Sequence, residues 1–108
     1  MTALLEQLKC IAPREVFPGF HGRFIHSQTM TFAYWDIDSG SKVPEHSHVH
    51  EQVVNMLEGK LELTVSGKTF VLEPGEVLII PSQAIHSGRA LTPCKVLDVF
   101  NPIREDYR

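Results

Sequence analysis

Gly40 to Gly59, GSKVPEHSHVHEQVVNMLEG, is the stretch that decides how this chain is read. His46, His48 and Gln52 stand at even spacing within it. Successive side chains of a strand leave on opposite faces, so as a strand the segment points these three to one side of a sheet. Imidazole nitrogens and an amide oxygen converging from one face are ligands for a first-row transition metal. His86 is a fourth candidate, in PGEVLIIPSQAIHS, where it follows a strand-like run and a proline turn. His50 shares the parity and competes with His48 or Gln52 as a ligand, ranked below them as an outer or surface residue. Glu51 has the opposite parity and faces away. His21 and His26, on an earlier strand, read as ordinary polar positions.

Outward from that stretch the texture is short β-rich runs separated by turn residues. Phe20 to Ser27, Thr29 to Ile37, Val53 to Leu57, Lys60 to Val65, Lys68 to Leu72 and Lys95 to Phe100 are the expected strands. Ser66-Gly67 predicts a hairpin between two of them. Val77 to Ile80 is a continuous apolar run, which suits a strand buried on both faces. Near the start, Leu4, Leu5, Leu8 and Ile11 follow a helical repeat over Thr2 to Ile11 that Pro13 must end. Eight or so strands at regular spacing predict an all-β, antiparallel sandwich or jelly-roll barrel with a short N-terminal helical segment.

Composition narrows the partners. With 108 residues, 43% hydrophobic and 21% charged, the chain suits one globular domain over 1–108. A formal net charge of -3 offers nothing to nucleic acid or to an anionic membrane. No apolar run approaches the ~20 residues of a membrane-spanning helix, and MTALLEQLKCIA lacks the basic start of an export signal. Cys10 and Cys94 stand far apart without a CxxC and read as reduced thiols, which points to the cytoplasm.

Two spacings carry a family resemblance. Gly40-x5-His46-x-His48-x3-Gln52-x6-Gly59 resembles the first cupin motif, with Gln52 where many cupins carry glutamate. Gly75-x5-Pro81-x-Gln83-x2-His86 resembles the second. It departs from that motif at Gln83, where glycine is usual, and at Ala90, where asparagine is common. The resemblance implies a single cupin barrel holding one divalent metal ion (nickel, zinc, iron or manganese) on His46, His48, Gln52 and His86. Three imidazoles and one amide are neutral, so the ion keeps its charge and suits a Lewis-acid role.

HSHVHEQ together with the ending VLDVFNPIRED is similar to cupins of the KdgF type. Those proteins linearise 4,5-unsaturated monouronates from pectin and alginate. The resemblance implies a small sugar-acid substrate, Asp98 and Arg104 as catalytic residues, Phe100 and Arg104 in substrate binding, and a homodimer. Asp98 and Phe100 share parity and are expected to face inward. A metal-dependent dioxygenase and a non-catalytic sugar- or metal-binding cupin are the alternatives.

Overall fold

The computed structural model describes residues 1–108. Its strands are β1 (Arg14–Phe17), β2 (Phe20–His26), β3 (Thr31–Ile37), β4 (Lys42–His46) and β5 (Glu51–Glu58), followed by β6 (Leu61–Val65), β7 (Lys68–Leu72), β8 (Val77–Ile80), β9 (His86–Ala90) and β10 (Cys94–Asn101). They form a six-stranded antiparallel sheet in the order β1-β2-β3-β10-β5-β8 and a four-stranded one in the order β4-β9-β6-β7.

Period-two patterning places the core between the sheets. Thr31, Ala33, Trp35 and Ile37 of β3 are buried, as are Cys94, Val96, Asp98 and Phe100 of β10, while the residues between them are more open. Leu61, Leu63, Leu72 and Ala90 of the smaller sheet join the same cluster. Fully buried Phe100, Ile80, Val54 and Val96 each contribute roughly 1.5–3 kcal/mol of apolar burial.

The all-β antiparallel expectation holds, but the barrel is not closed: no strand pairs with both sheets. Of the chain's six passages between the sheets, one lies at residues 47–50, between β4 and β5, and another at 81–85, between β8 and β9. Those two crossings flank the candidate ligands. Turn chemistry follows the glycines. Ser66 (φ 47°) and Gly67 (φ 83°) make the expected β6–β7 hairpin. A Cβ on Gly59 (φ 85°) would collide with the Pro93 carbonyl oxygen. Gln83 takes φ 67°, the left-handed conformation for which glycine is the usual residue.

Three expectations are corrected. The N-terminal helix is a single 3-10 turn, Leu8–Cys10, with Leu4 and Leu5 exposed. A ten-residue helix is marginal without packing, and these leucines find none. Val77 and Ile79 are 57% and 60% exposed, because β8 is an edge strand with an open outer face. There are ten strands, since short β1, β4 and β9 carry little apolar patterning. Cys10 is exposed and Cys94 buried, both free thiols. No helix is long and apolar enough to cross a membrane.

Candidate functional site

His46 closes β4 and His86 opens β9, and the two are direct partners across the ladder, with ring centroids 4.1 Å apart. His48 lies in the 47–50 turn, its ring 4.9 Å from that of His86. Ligand nitrogens of His46, His48 and His86 all fall within 4.8 Å of one another. Gln52, on β5 of the other sheet, brings its Oε1 to 3.2 Å from His48 Nε2. The four candidates thus converge across the seam between the sheets. Parity along one strand is not the cause, because the chain turns between His46 and Gln52. His50 follows that turn away from the cluster, and its Nε2 donates to the Ile103 carbonyl at 3.2 Å.

Each clustered imidazole is steered by a nearby carbonyl. Nδ1 of His46 donates to Pro44, Nδ1 of His48 to His50, and Nδ1 of His86 to Ala84, all at 2.9 Å. A carbonyl only accepts, so each Nδ1 carries the proton and each Nε2 presents a lone pair. His86 Nε2 is buried and has no partner. His48 Nε2 and Gln52 Oε1 then face each other as two acceptors with no proton between them. A cation resolves both mismatches, and carbonyl-locked imidazoles are the usual outer support of a metal ligand. Burial, then the Arg104 charge and His86, push the His48 pKa down to about 4. Burial foremost lowers that of His86 as well, which favours in both rings the neutral form that a metal ligand needs. Three imidazoles and one amide oxygen fit a divalent transition metal.

Asp98 and Phe100 of β10 are both buried and face the same cavity as His46, Gln52, His86 and Arg104. The cavity and its mouth hold about 570 Å³. Asp98 Oδ2 accepts from the Trp35 indole N–H at 3.1 Å, while Oδ1 is buried without a partner. Burial pushes the Asp98 pKa up to about 7. The neighbouring Gln52 amide, the Trp35 N–H and the Arg104 charge offset part of the rise.

Arg104 sits beyond the end of β10, its guanidinium carbon 4.8 Å from the Phe100 ring centre and 4.3 Å from that of Tyr107. Its Nε and Nη2 grip the Asp106 carboxylate at 3.0 and 2.7 Å. Two cavity residues escape a reading of the sequence. Trp35 stands in an ordinary strand alternation, and Tyr107 sits in a polar tail. Yet Tyr107 is buried among Phe24, Trp35 and Phe100. Its phenol pKa rises to about 12, burial being the main cause. Gly22 makes room for this aromatic wall: a Cβ there would meet Phe24 at 2.6 Å and Trp35 at 2.8 Å.

Fold and histidine cluster together define a cupin, and the cupin domain family matches residues 33–100. The chain belongs to the cupin family. Within it, the chain is similar to KdgF from Halomonas sp., at 25% identity with a TM-score of 0.92, covering 99% of this chain and 100% of that one. An RmlC-like cupin from Shewanella frigidimarina matches with a TM-score of 0.92 at 22% identity, over 99% of this chain and 97% of that one, and shows the fold alone. An uncharacterized protein of Streptomyces coelicolor is 24% identical over 92 residues, 84% of this chain and 88% of its own length.

Proposed function

We propose that this cupin linearises 4,5-unsaturated monouronates to 4-deoxy-5-keto-uronates. The observation that carries the reading is one cavity lined at once by clustered imidazoles, a buried carboxyl with a free oxygen, and a nearly buried guanidinium. Likeness to KdgF from Halomonas sp. supports the choice of substrate. His46, His48, Gln52 and His86 would hold a divalent ion, which supplies a Lewis acid when bound.

The rest of the chemistry falls to the chain's own groups. Arg104 binds the uronate carboxylate through the guanidinium edge that Asp106 leaves free. Phe100 forms an apolar wall against the ring and excludes water. Asp98, whose Oδ2 is held by Trp35, exchanges a proton at Oδ1. As a carboxylate it takes the proton of the anomeric hydroxyl; that oxygen forms the C1 carbonyl as the bond from C1 to the ring oxygen breaks, and the ring oxygen leaves with the electron pair as the enolate oxygen on C5, next to C4. The same carboxyl then returns its proton to C4. Nothing is oxidised and no water is consumed. A carboxyl with a pKa of about 7 serves both halves of that exchange near neutrality.

The same reading takes 1–108 as one cupin unit that pairs as a homodimer. The exposed Val77 and Ile79 on edge strand β8 support such a contact, and a concentration series by sedimentation tests it.

The deciding experiment is an ultraviolet time course on 4,5-unsaturated galacturonate with metal-loaded and chelator-stripped protein. Metal-dependent loss of the enol-ether absorbance is the expected result. No acceleration by loaded protein overturns the reading. Oxygen uptake would then place a cupin dioxygenase here, and binding without turnover a sugar-acid-binding module.

A further inference from the structure

Residues 102–108 leave β10 as a strap that brings Arg104 and Tyr107 back over the cavity. We infer that His26 and Thr31 are positioning residues that hold this strap so that Arg104 and Tyr107 face the cavity. The inference rests on the proposed function in one respect, that the partner of Arg104 is a carboxylate.

Thr31 opens β3 and is completely buried, an unusual place for a hydroxyl unless its bonds are made. Its Oγ1 accepts the backbone N–H of Arg104 at 2.9 Å and lies 2.8 Å from His26 Nδ1. His26 Nε2 lies 3.3 Å from the Tyr107 carbonyl. Only one proton arrangement of the neutral ring satisfies every atom. The carbonyl accepts, so His26 Nε2 donates; His26 Nδ1 is then an acceptor, and the Thr31 hydroxyl donates to it. Arg104 N–H completes the set by donating to Thr31 Oγ1. His26 and Thr31 each donate one hydrogen bond and accept one, and the relay spans Tyr107, His26, Thr31 and Arg104.

Other contacts tie down the flanks of the strap. Asn101 Nδ2 donates to the Thr29 carbonyl at 3.0 Å, and Arg14 Nη1 to the Arg108 carbonyl at 3.3 Å. Neither reaches the backbone of Arg104 itself. The Thr31 bond does, beside the His50 Nε2 bond to the Ile103 carbonyl of the same peptide group, while the Arg104 carbonyl accepts from the Tyr107 N–H at 3.0 Å within the terminal turn. His26 is therefore more than an ordinary polar position on an early strand. Its partner Tyr107 lies 81 residues away, which is why the sequence did not reveal it.

Thr31→Val keeps the shape and removes the hydroxyl, while Thr31→Ser keeps the hydroxyl. Loss of a buried hydrogen bond of this kind is expected to raise KM for unsaturated galacturonate about tenfold. The turnover number should stay within about twofold and metal content should be unchanged, because no reacting group is touched. Amide hydrogen exchange across 103–107 should quicken about tenfold, and Thr31→Ser should restore both measurements. A purely structural role would lower the melting temperature without separating KM from kcat. Wild-type KM and strap protection in Thr31→Val would overturn the inference, as would a Thr31→Ser protein as impaired as Thr31→Val. If Thr31→Val does not fold, His26→Phe cuts the same relay from its other end and is read by the same two measurements. Absence of turnover by the wild-type protein would sink the proposed reaction alone, since strap exchange in Thr31→Val against Thr31→Ser still decides the positioning.

Discussion

The two ends of the cavity are built by opposite means. At the histidine end every steering bond is local: Pro44, His50 and Ala84 each hold an imidazole two residues away. At the Asp98 end, the Asp106 grip on the Arg104 guanidinium aside, the supports come from far along the chain. Trp35 reaches Asp98 over 63 residues, Thr31 reaches Arg104 over 73, and His26 reaches Tyr107 over 81. Local bonds orient ligands as soon as the turns form. Distant ones exist only once both sheets have closed, so the Asp98 end depends on the whole fold. Damage at one end should therefore be separable from damage at the other.

The largest effect is expected from Asp98→Asn, which removes the exchangeable proton while keeping the side chain's size and its bond from Trp35. Turnover should fall about 10³-fold, within the range general acid–base groups supply, with metal content by elemental analysis unchanged. Near-normal turnover would take Asp98 out of the mechanism. The same carboxyl leaves a mark on stability. Its folded-state pKa of about 7 lies above the ordinary 3.8. Below about pH 4 both folded and unfolded forms are protonated and the site costs nothing. Between about 4 and 7 the unfolded chain releases a proton that the folded chain keeps, so stability falls as pH rises. The full loss is on the order of 4 kcal/mol, complete above about pH 7. The lowered pKa values of His48 and His86 make stability rise over the same range. The Asp98 decline is therefore read as the stability difference between wild-type and Asp98→Asn protein, both chelator-treated, in urea unfolding at pH 5 and pH 7.5.

Next in size is His86→Ala, which strikes the local end. Losing even an outer support of a metal ligand costs about 10–100-fold in affinity, and loss of an imidazole that faces the ion should exceed that. The thermal shift on adding metal should vanish, where wild-type protein at a hundred times its dissociation constant gains about 2.7 kcal/mol. Trp35 fluorescence should be unchanged in His86→Ala if the ends are independent. A shifted spectrum would show them coupled, most directly through Gln52, which lies beside both His48 and Asp98.

This division also explains what the sequence could tell. His46, His48 and His86 were legible as a set because short spacing and turn residues bring them to one seam, although the reason offered, strand parity, was not the one at work. Asp98 and Phe100 were placed correctly on one face because β10 alternates without interruption. Trp35 and Tyr107 were not legible as cavity residues, nor were the contacts of Thr31 and His26 with the strap. Their neighbours are set by sheet order and by the path of the strap, and nothing local records either. The buried-strand reading of Val77 to Ile80 failed for a related reason: an apolar run does not say whether its strand will lie at an edge.

Arg104→Lys should have a smaller effect. Lysine keeps the charge but loses the planar fork and the stack over Phe100 and Tyr107. A KM about tenfold higher with little change in kcat is expected, equivalent to about 1.4 kcal/mol. An equal fall in kcat would move Arg104 from binding the carboxylate to stabilising the transition state.

The smallest effect is the sharpest test of the local end. His50 has the same spacing that nominated His48 and Gln52, yet the 47–50 turn aims its Nε2 at the Ile103 carbonyl and away from the cluster. His50→Ala should therefore leave metal stoichiometry and affinity within about twofold of wild type, since its backbone carbonyl still holds His48 Nδ1. What it removes is one contact to the strap, so a small rise in KM is the only expected change. Loss of metal in His50→Ala would mean that the turn opens when the ion binds and that His50 enters the ligand set. In that event the local bonds at this end would be less firm than the distant ones at the other, and the contrast between the two ends would be reversed.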